Sequence, residues 1–179
     1  MWLIVYRVYN YLLSSYTNSM KTIYTVVPEA NQLIAERSFA APRSKVWQYY
    51  TTASLLEKWW APEPYKAVTK SFDFKEGGHW HYSMQGPEGD VHNCINTYKT
   101  IHPEESFTAF DGFADENWNV KTDMPSSDWE VTFTENGDET HMKVVLTCAS
   151  KEALNTLIQM GMKEGFNQGL DQLEALLQV

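Results

Sequence analysis

Four side chains near the middle of the chain have the chemistry of a zinc site: His79, His81, His92 and Cys94. Imidazole nitrogen and thiolate sulfur are donors that zinc favours, and residues directly opposite on adjacent strands stand about 5 Å apart at Cβ, within bridging reach. A symmetric hairpin closed by Gln85 to Asp90 sets His81 against Cys94 and Ser83 against His92, with His79 on the same side. That side lies opposite Trp80 and Tyr82 and so faces solvent, where histidine needs no metal, and a one-residue slip dissolves the set. No metal or cofactor is therefore assigned. Asp73, ahead of Lys75, Glu76, Gly77 and Gly78, is the most conspicuous carboxylate. A carboxylate before a tight turn bonds backbone amides more often than it moves protons. The sequence contains no Gly-x-Ser-x-Gly elbow, phosphate-cradling glycine loop, His-Glu-x-x-His helix or Cys-x-x-Cys pair, so no catalytic residue is assigned.

The remaining chemistry is apolar. Gly161, Gly165 and Gly169 recur every four positions near the C-terminus and fall on one face of a helix. Each glycine costs a helix interior about 1 kcal/mol relative to alanine, so three in register predict that something bulky comes close, the aromatic-rich strands being the candidate. Trp80, Tyr82 and Met84 share one side of a strand; so do Trp129, Val131 and Phe133, and again Met142, Val144, Leu146 and Cys148. With Phe166 beside the glycines and Trp59, Trp60 and Trp118 as gates, these side chains are candidate walls of a cavity for an apolar molecule. The competing expectation is that they fill one another's space.

The elements that must position these walls follow from periodicity and punctuation. Leu33 to Phe39 alternates as a strand, and Ala41-Pro42 opens a helix carrying Val46, Trp47 and Tyr50 inward. A second short helix starts at Ser54, with Glu57 completing a capping box, and runs to Trp59-Trp60 before Pro62. Strands are predicted over 67–74, 78–84, 91–100, 105–111, 128–135 and 139–148, and one helix spans Lys151 to Leu177. The acidic stretch 112–127 reads as a mobile loop.

In 179 residues, 43% hydrophobic and 14% aromatic content suffice for one core. A formal net charge of -9 opposes attraction to nucleic acid or anionic lipid. Cys94 and Cys148 are too few for a disulfide scaffold and point to a reducing cytoplasm. Residues 1–19 are aromatic, but Arg7 and Asn10 interrupt any membrane span, and no signal-peptide pattern is present. The expected organisation is an N-terminal extension over 1–30, with Met20 as an alternative start, and a domain over 31–179. Trp2, Tyr6 and Tyr9 form an edge able to pair chains, leaving monomer or homodimer open.

The order of strand, two short helices, six strands and a C-terminal helix resembles the START-like helix-grip (SRPBCC) superfamily, the fold of the birch-pollen allergen. More narrowly it is similar to the branch named for the activator of the heat-shock-protein-ninety ATPase. Arg37, Phe39, Ala41-Pro42, Val46-Trp47, Thr51, Leu56, Trp59-Trp60 and Pro62 carry the likeness. So do the run from Phe72 to Trp80, Met84, Gly89, Ile101, Pro103-Glu104, and Met160 to Phe166 with Leu170 and Leu173. Asn96 departs from it, since glycine often stands there, two residues before an aromatic such as Tyr98. The resemblance implies an α+β, β-α-α-β6-α helix-grip fold, with a seven-stranded antiparallel sheet wrapped around a long C-terminal helix and a cavity between them. Binding of a small hydrophobic or aromatic molecule is the expected function. A cyclase- or hydrolase-type enzyme and a chaperone ATPase co-factor are the alternatives, the last suggested by the family name alone.

Overall fold

The computed structural model describes residues 22–178; the expectations placed on residues 1–21, including Met20 and the aromatic edge, lie outside them. The strands are β1 (Ile23–Val27), β2 (Gln32–Phe39), β3 (Lys66–Phe72), β4 (His79–Gln85), β5 (Val91–His102), β6 (Ser106–Phe113), β7 (Ser127–Asn136) and β8 (Glu139–Cys148). Helices α1 (Arg43–Thr51) and α2 (Ala53–Leu56) follow β2, and α3 (Lys151–Gln159) and α4 (Met162–Leu177) close the chain. All eight strands form one antiparallel sheet in the order β1-β2-β8-β7-β6-β5-β4-β3. The sheet has eight strands rather than the implied seven because Ile23–Val27, within the stretch read as an extension, pairs with β2.

Period-two alternation builds the concave face. Leu33, Ala35, Arg37 and Phe39 point inward from β2, Trp129, Val131 and Phe133 from β7, and Met142, Val144, Leu146 and Cys148 from β8. Val46 and Tyr50 of α1 bury onto this face, where the Tyr50 hydroxyl donates to Met142 Sδ at 2.8 Å. Leu170 and Leu173 of α4 are fully buried against it. Arg37, with a side chain closed to solvent, ties α4 to β2 through Asp171 at 2.6 Å and Glu174 at 2.5 Å.

Three local expectations are corrected. The capping box at Ser54 does not form: Thr52 is the N-cap of α2 and makes no side-chain cap bond. The Glu57 carboxylate accepts instead from the Thr69 amide at 2.6 Å, joining the end of α2 to β3. The single C-terminal helix is two. Gly161, at φ +87, takes the left-handed conformation between α3 and α4, a backbone state that glycine reaches without the steric cost paid by other residues. The stretch 112–127 is not a uniform loop: β6 runs to Phe113, β7 starts at Ser127, Ala114 bridges Val120, and Asp115 accepts from the amides of Asn117 and Asn119 at 2.8 and 2.9 Å. Among the described residues no helix is long and apolar enough to cross a membrane.

Candidate functional site

The face of α4 that carries its glycines grips main chain. A Cβ added to Gly169 would lie 3.0 Å from the Trp59 carbonyl oxygen and 3.3 Å from that of Trp60. One added to Gly165 would sit 3.5 Å from Pro62 Cγ. On the same face Gln172 donates to the carbonyls of Trp59 and Ala61 at 2.7 and 2.9 Å, and Gln168 donates to that of Glu63 at 3.3 Å. Residues 165, 168, 169 and 172 follow the i, i+3, i+4, i+7 spacing of one helical face. The bulky neighbour is thus the segment Trp59–Glu63 and not the aromatic strands. Gly161 lies outside this face because it ends the helix instead of continuing it.

Space is left elsewhere. Beneath the helices the aromatic side chains pack to a residual void of about 20 Å³, lined by Trp60, Trp80, Asn96, Trp129, Val131 and their neighbours. That is room for about one water molecule. A larger cleft of about 230 Å³ opens at the junction of α3 and α4. Trp60, Tyr82, Met84, Trp129, Gly161, Gly165 and Phe166 line it, as do Pro62, Cys94, Asp111, Gly112, Phe113, Leu157, Met160 and Met162. Trp60 and Trp129 wall both spaces.

These two tryptophans are fixed by polar tips and ring contacts. Trp60 donates its indole N–H to the Tyr82 hydroxyl at 2.8 Å, and its ring lies 5.4 Å from that of Trp80 and 5.9 Å from that of Trp129. Trp129 donates to Ser127 Oγ at 2.9 Å and meets Phe166 edge to face at 5.4 Å. Of the other candidate walls, Trp80 and Val131 line only the small void, and Trp59, Phe133, Val144 and Trp118 lie away from the cleft. Trp59 is fully buried, its indole donating to the Tyr49 carbonyl at 3.1 Å; Phe133 packs on Tyr50, and Val144 sits in the closed core. Trp118, at φ +64, stacks on His81 at 4.9 Å on the outer face and gates nothing on the inner one.

The histidine set does not assemble. In the observed register His81 pairs with Ile95, Tyr82 with Cys94 and Met84 with His92, one residue away from the symmetric closure. Cys94 therefore faces inward with Tyr82, while His79 and His81 stay on the outer face, His79 Nε2 lying 2.8 Å from Ser71 Oγ. Among the described residues no group of three or more His, Cys, Asp or Glu is placed to hold a metal ion. Asp73 is a turn residue: its carboxylate pairs with exposed Lys75 at 2.8 Å and its carbonyl accepts from the Lys75 amide at 3.0 Å.

One polar cluster lies on the inner face where strand parity leads to apolar expectations. Asp111 of β6 stands opposite Asn96 of β5 and Ser127 of β7. Asn96, itself buried, donates its side-chain amide to Asp111 Oδ2 at 2.6 Å. Desolvation pushes the Asp111 carboxyl up to about 6, against the lowering effect of the Asn96 bond. Burial and, secondarily, the nearby Asp111 charge push the Cys94 thiol up to about 12, and burial raises the Tyr82 phenol well above its ordinary range. Both stay protonated at neutral pH, so the cleft floor offers one carboxylate, one thiol and one phenol. Sequence reasoning missed Asp111 because the predicted strand 105–111 ends on it; the parity of Phe107 and Ala109 extended by one step finds it.

Comparison with known proteins places this architecture. Residues 40–178 match the family described as Activator of Hsp90 ATPase homolog 1-like protein. Protein Ms6760 from Mycobacterium smegmatis is 36% identical, with a TM-score of 0.81 over 87% of this chain and 96% of its own. A protein from Arthrobacter aurescens is 27% identical, with a TM-score of 0.83 over 87% and 91%. An AHSA1 protein from Silicibacter pomeroyi shares the fold at 20% identity, with a TM-score of 0.66 over 82% and 96%. No curated protein matches. The eight-stranded sheet closed by α3 and α4 is thus that of the START-like helix-grip superfamily, and the chain belongs to the family of Activator of Hsp90 ATPase homolog 1-like proteins.

Proposed function

We propose that the protein binds a small apolar, preferentially aromatic, molecule in the cleft between the sheet and the α3–α4 junction. The observation that carries this reading is the cleft of about 230 Å³, walled by Trp60, Trp129, Phe166, Met84 and Met162. Such walls hold a ligand by apolar burial worth about 25 cal/mol per Å², and a few polar groups orient it. The void of about 20 Å³ deeper in is too small for more than water, so the ligand sits at the rim.

An enzyme of cyclase or hydrolase type is less well supported. Its chemistry calls for a nucleophile beside a base, whereas the Cys94 thiol is held protonated and Asp111 is paired with a neutral amide. A chaperone co-factor role draws support from the family description alone. Two buried free thiols support a reducing, cytoplasmic setting, and the net charge of -9 disfavours polyanionic partners.

Tryptophan fluorescence titration with a panel of small hydrophobic molecules tests the proposal. Saturable quenching, with panel members competing for one site, is expected. A panel that never saturates would count against the binding reading.

A further inference from the structure

The cleft has a direction of charge that its apolar walls do not explain. Among the described residues that line it, Asp111 is the one that carries a charge, and no Lys, Arg or His is among them. Its Oδ2 is occupied by the Asn96 amide at 2.6 Å, while Oδ1 has no protein donor among the described residues. Asn96 is 8% exposed and pairs with Trp80 on one side and Asp111 on the other, which places its amide against the carboxylate.

A carboxylate in apolar surroundings is costly unless a partner compensates it. The Asn96 amide supplies part of that compensation, and the partly accessible carboxylate lines the cleft. Around it stand the rings of Trp60, Tyr82 and Trp129, whose faces attract cations. The net charge of -9 adds a field of the same sign.

Resting on the binding reading above, we propose that the cleft selects molecules in which an apolar, aromatic body carries a protonated amine, the ammonium donating to Asp111 Oδ1. An acid-headed molecule of the same shape would bring a second negative charge to a site whose described lining holds no cation. The upward shift of the Asp111 carboxyl, caused by desolvation, agrees: a carboxylate short of solvation gains most from a cation. The titratable groups facing Asp111 are Tyr82 from β4 and Cys94 from β5, both neutral near pH 7; α4 presents Met162 and Phe166, which carry no charge.

Isothermal titration of the full chain with naphthylethylamine, naphthylethanol and naphthylacetate tests the proposal at neutral pH. The amine is expected to bind on the order of tenfold tighter than the alcohol, the increment of one charged hydrogen bond, and the acid weaker than either. In Asp111→Asn, checked for folding by circular dichroism, the amine's advantage over the alcohol should disappear, the ratio of their affinities falling to about one. An amine no tighter than the alcohol, or an amine preference that survives in Asp111→Asn, overturns the proposal while leaving the binding reading intact. Binding of none of the three overturns both. The wild-type ranking decides by itself where the variant does not fold.

Discussion

Asn96 and Asp111 face each other across β5 and β6, the Asn96 amide donating to the Asp111 carboxylate at 2.6 Å. The position at which the family resemblance implies glycine thus carries a side chain with a defined partner. The ladder runs through it undisturbed, Asn96 pairing with Trp80 on one side and Asp111 on the other. Asn96 bonds the one charged side chain among the described residues that line the cleft.

Substituting Asp111→Asn separates the cost of that charge from the rest of the fold. The folded carboxyl is raised to about 6, above an unfolded value of about 3.9. Between these values the folded state binds more protons than the unfolded one, so stability rises as pH falls, and the cost is fully present above the folded value. The variant is therefore expected to be more stable than wild type by about 3 kcal/mol above pH ~7, the gain vanishing below pH ~4. Urea unfolding of both proteins across this range checks it; a difference independent of pH contradicts it.

The three C-terminal glycines should respond differently to alanine. Gly165→Ala meets only Pro62 Cγ at 3.5 Å and should stabilise by about 0.5–1 kcal/mol through helix propensity. Gly161→Ala meets nothing within 4 Å yet must adopt φ +87, so a loss of about 1–2 kcal/mol is expected from the backbone alone. Gly169→Ala places its methyl group 3.0 Å from the Trp59 carbonyl and should destabilise despite the better propensity. Thermal melts of the three variants decide; equal effects would contradict the division.

Arg37→Met tests the tie between α4 and the sheet. The substitution keeps an apolar stem but leaves Asp171 and Glu174 without the guanidinium they share. Both carboxylates retain some access to water, which limits the penalty, and a loss of about 2–3 kcal/mol is expected. Amide exchange should speed up most in α4. A change below about 0.5 kcal/mol would show that the ion pairs merely decorate the packing.

Much of this fold is legible in residue order because most of its strands have one buried face. The run from Glu139 to Cys148 alternates without interruption, and its predicted limits coincide with β8. The β4–β5 register was not legible. Gln85 pairs with Val91, so the turn has five residues instead of six, and that single residue moves Cys94 from beside the histidines to the cleft floor. Nor was the break at Gly161, since four-residue spacing is equally consistent with a continuous helix and with a left-handed residue between two. Of the expected wall residues, Trp60, Tyr82 and Met84 reach the cleft, whereas Trp59 does not, because adjacent helix-end tryptophans point to different neighbours. The Trp118 position depends on a positive φ at a tryptophan, which no pattern announces.

The most direct test of the cleft as a binding site is a heteronuclear NMR titration with naphthylethanol, following the indole N–H resonances. Trp60 and Trp129 line the cleft, while Trp118 stacks on His81 across the sheet and serves as an internal control. Saturable shifts of the Trp60 and Trp129 signals with Trp118 unmoved are the predicted result. Signals that stay fixed at saturating probe, or shifts confined to Trp118, would contradict the account.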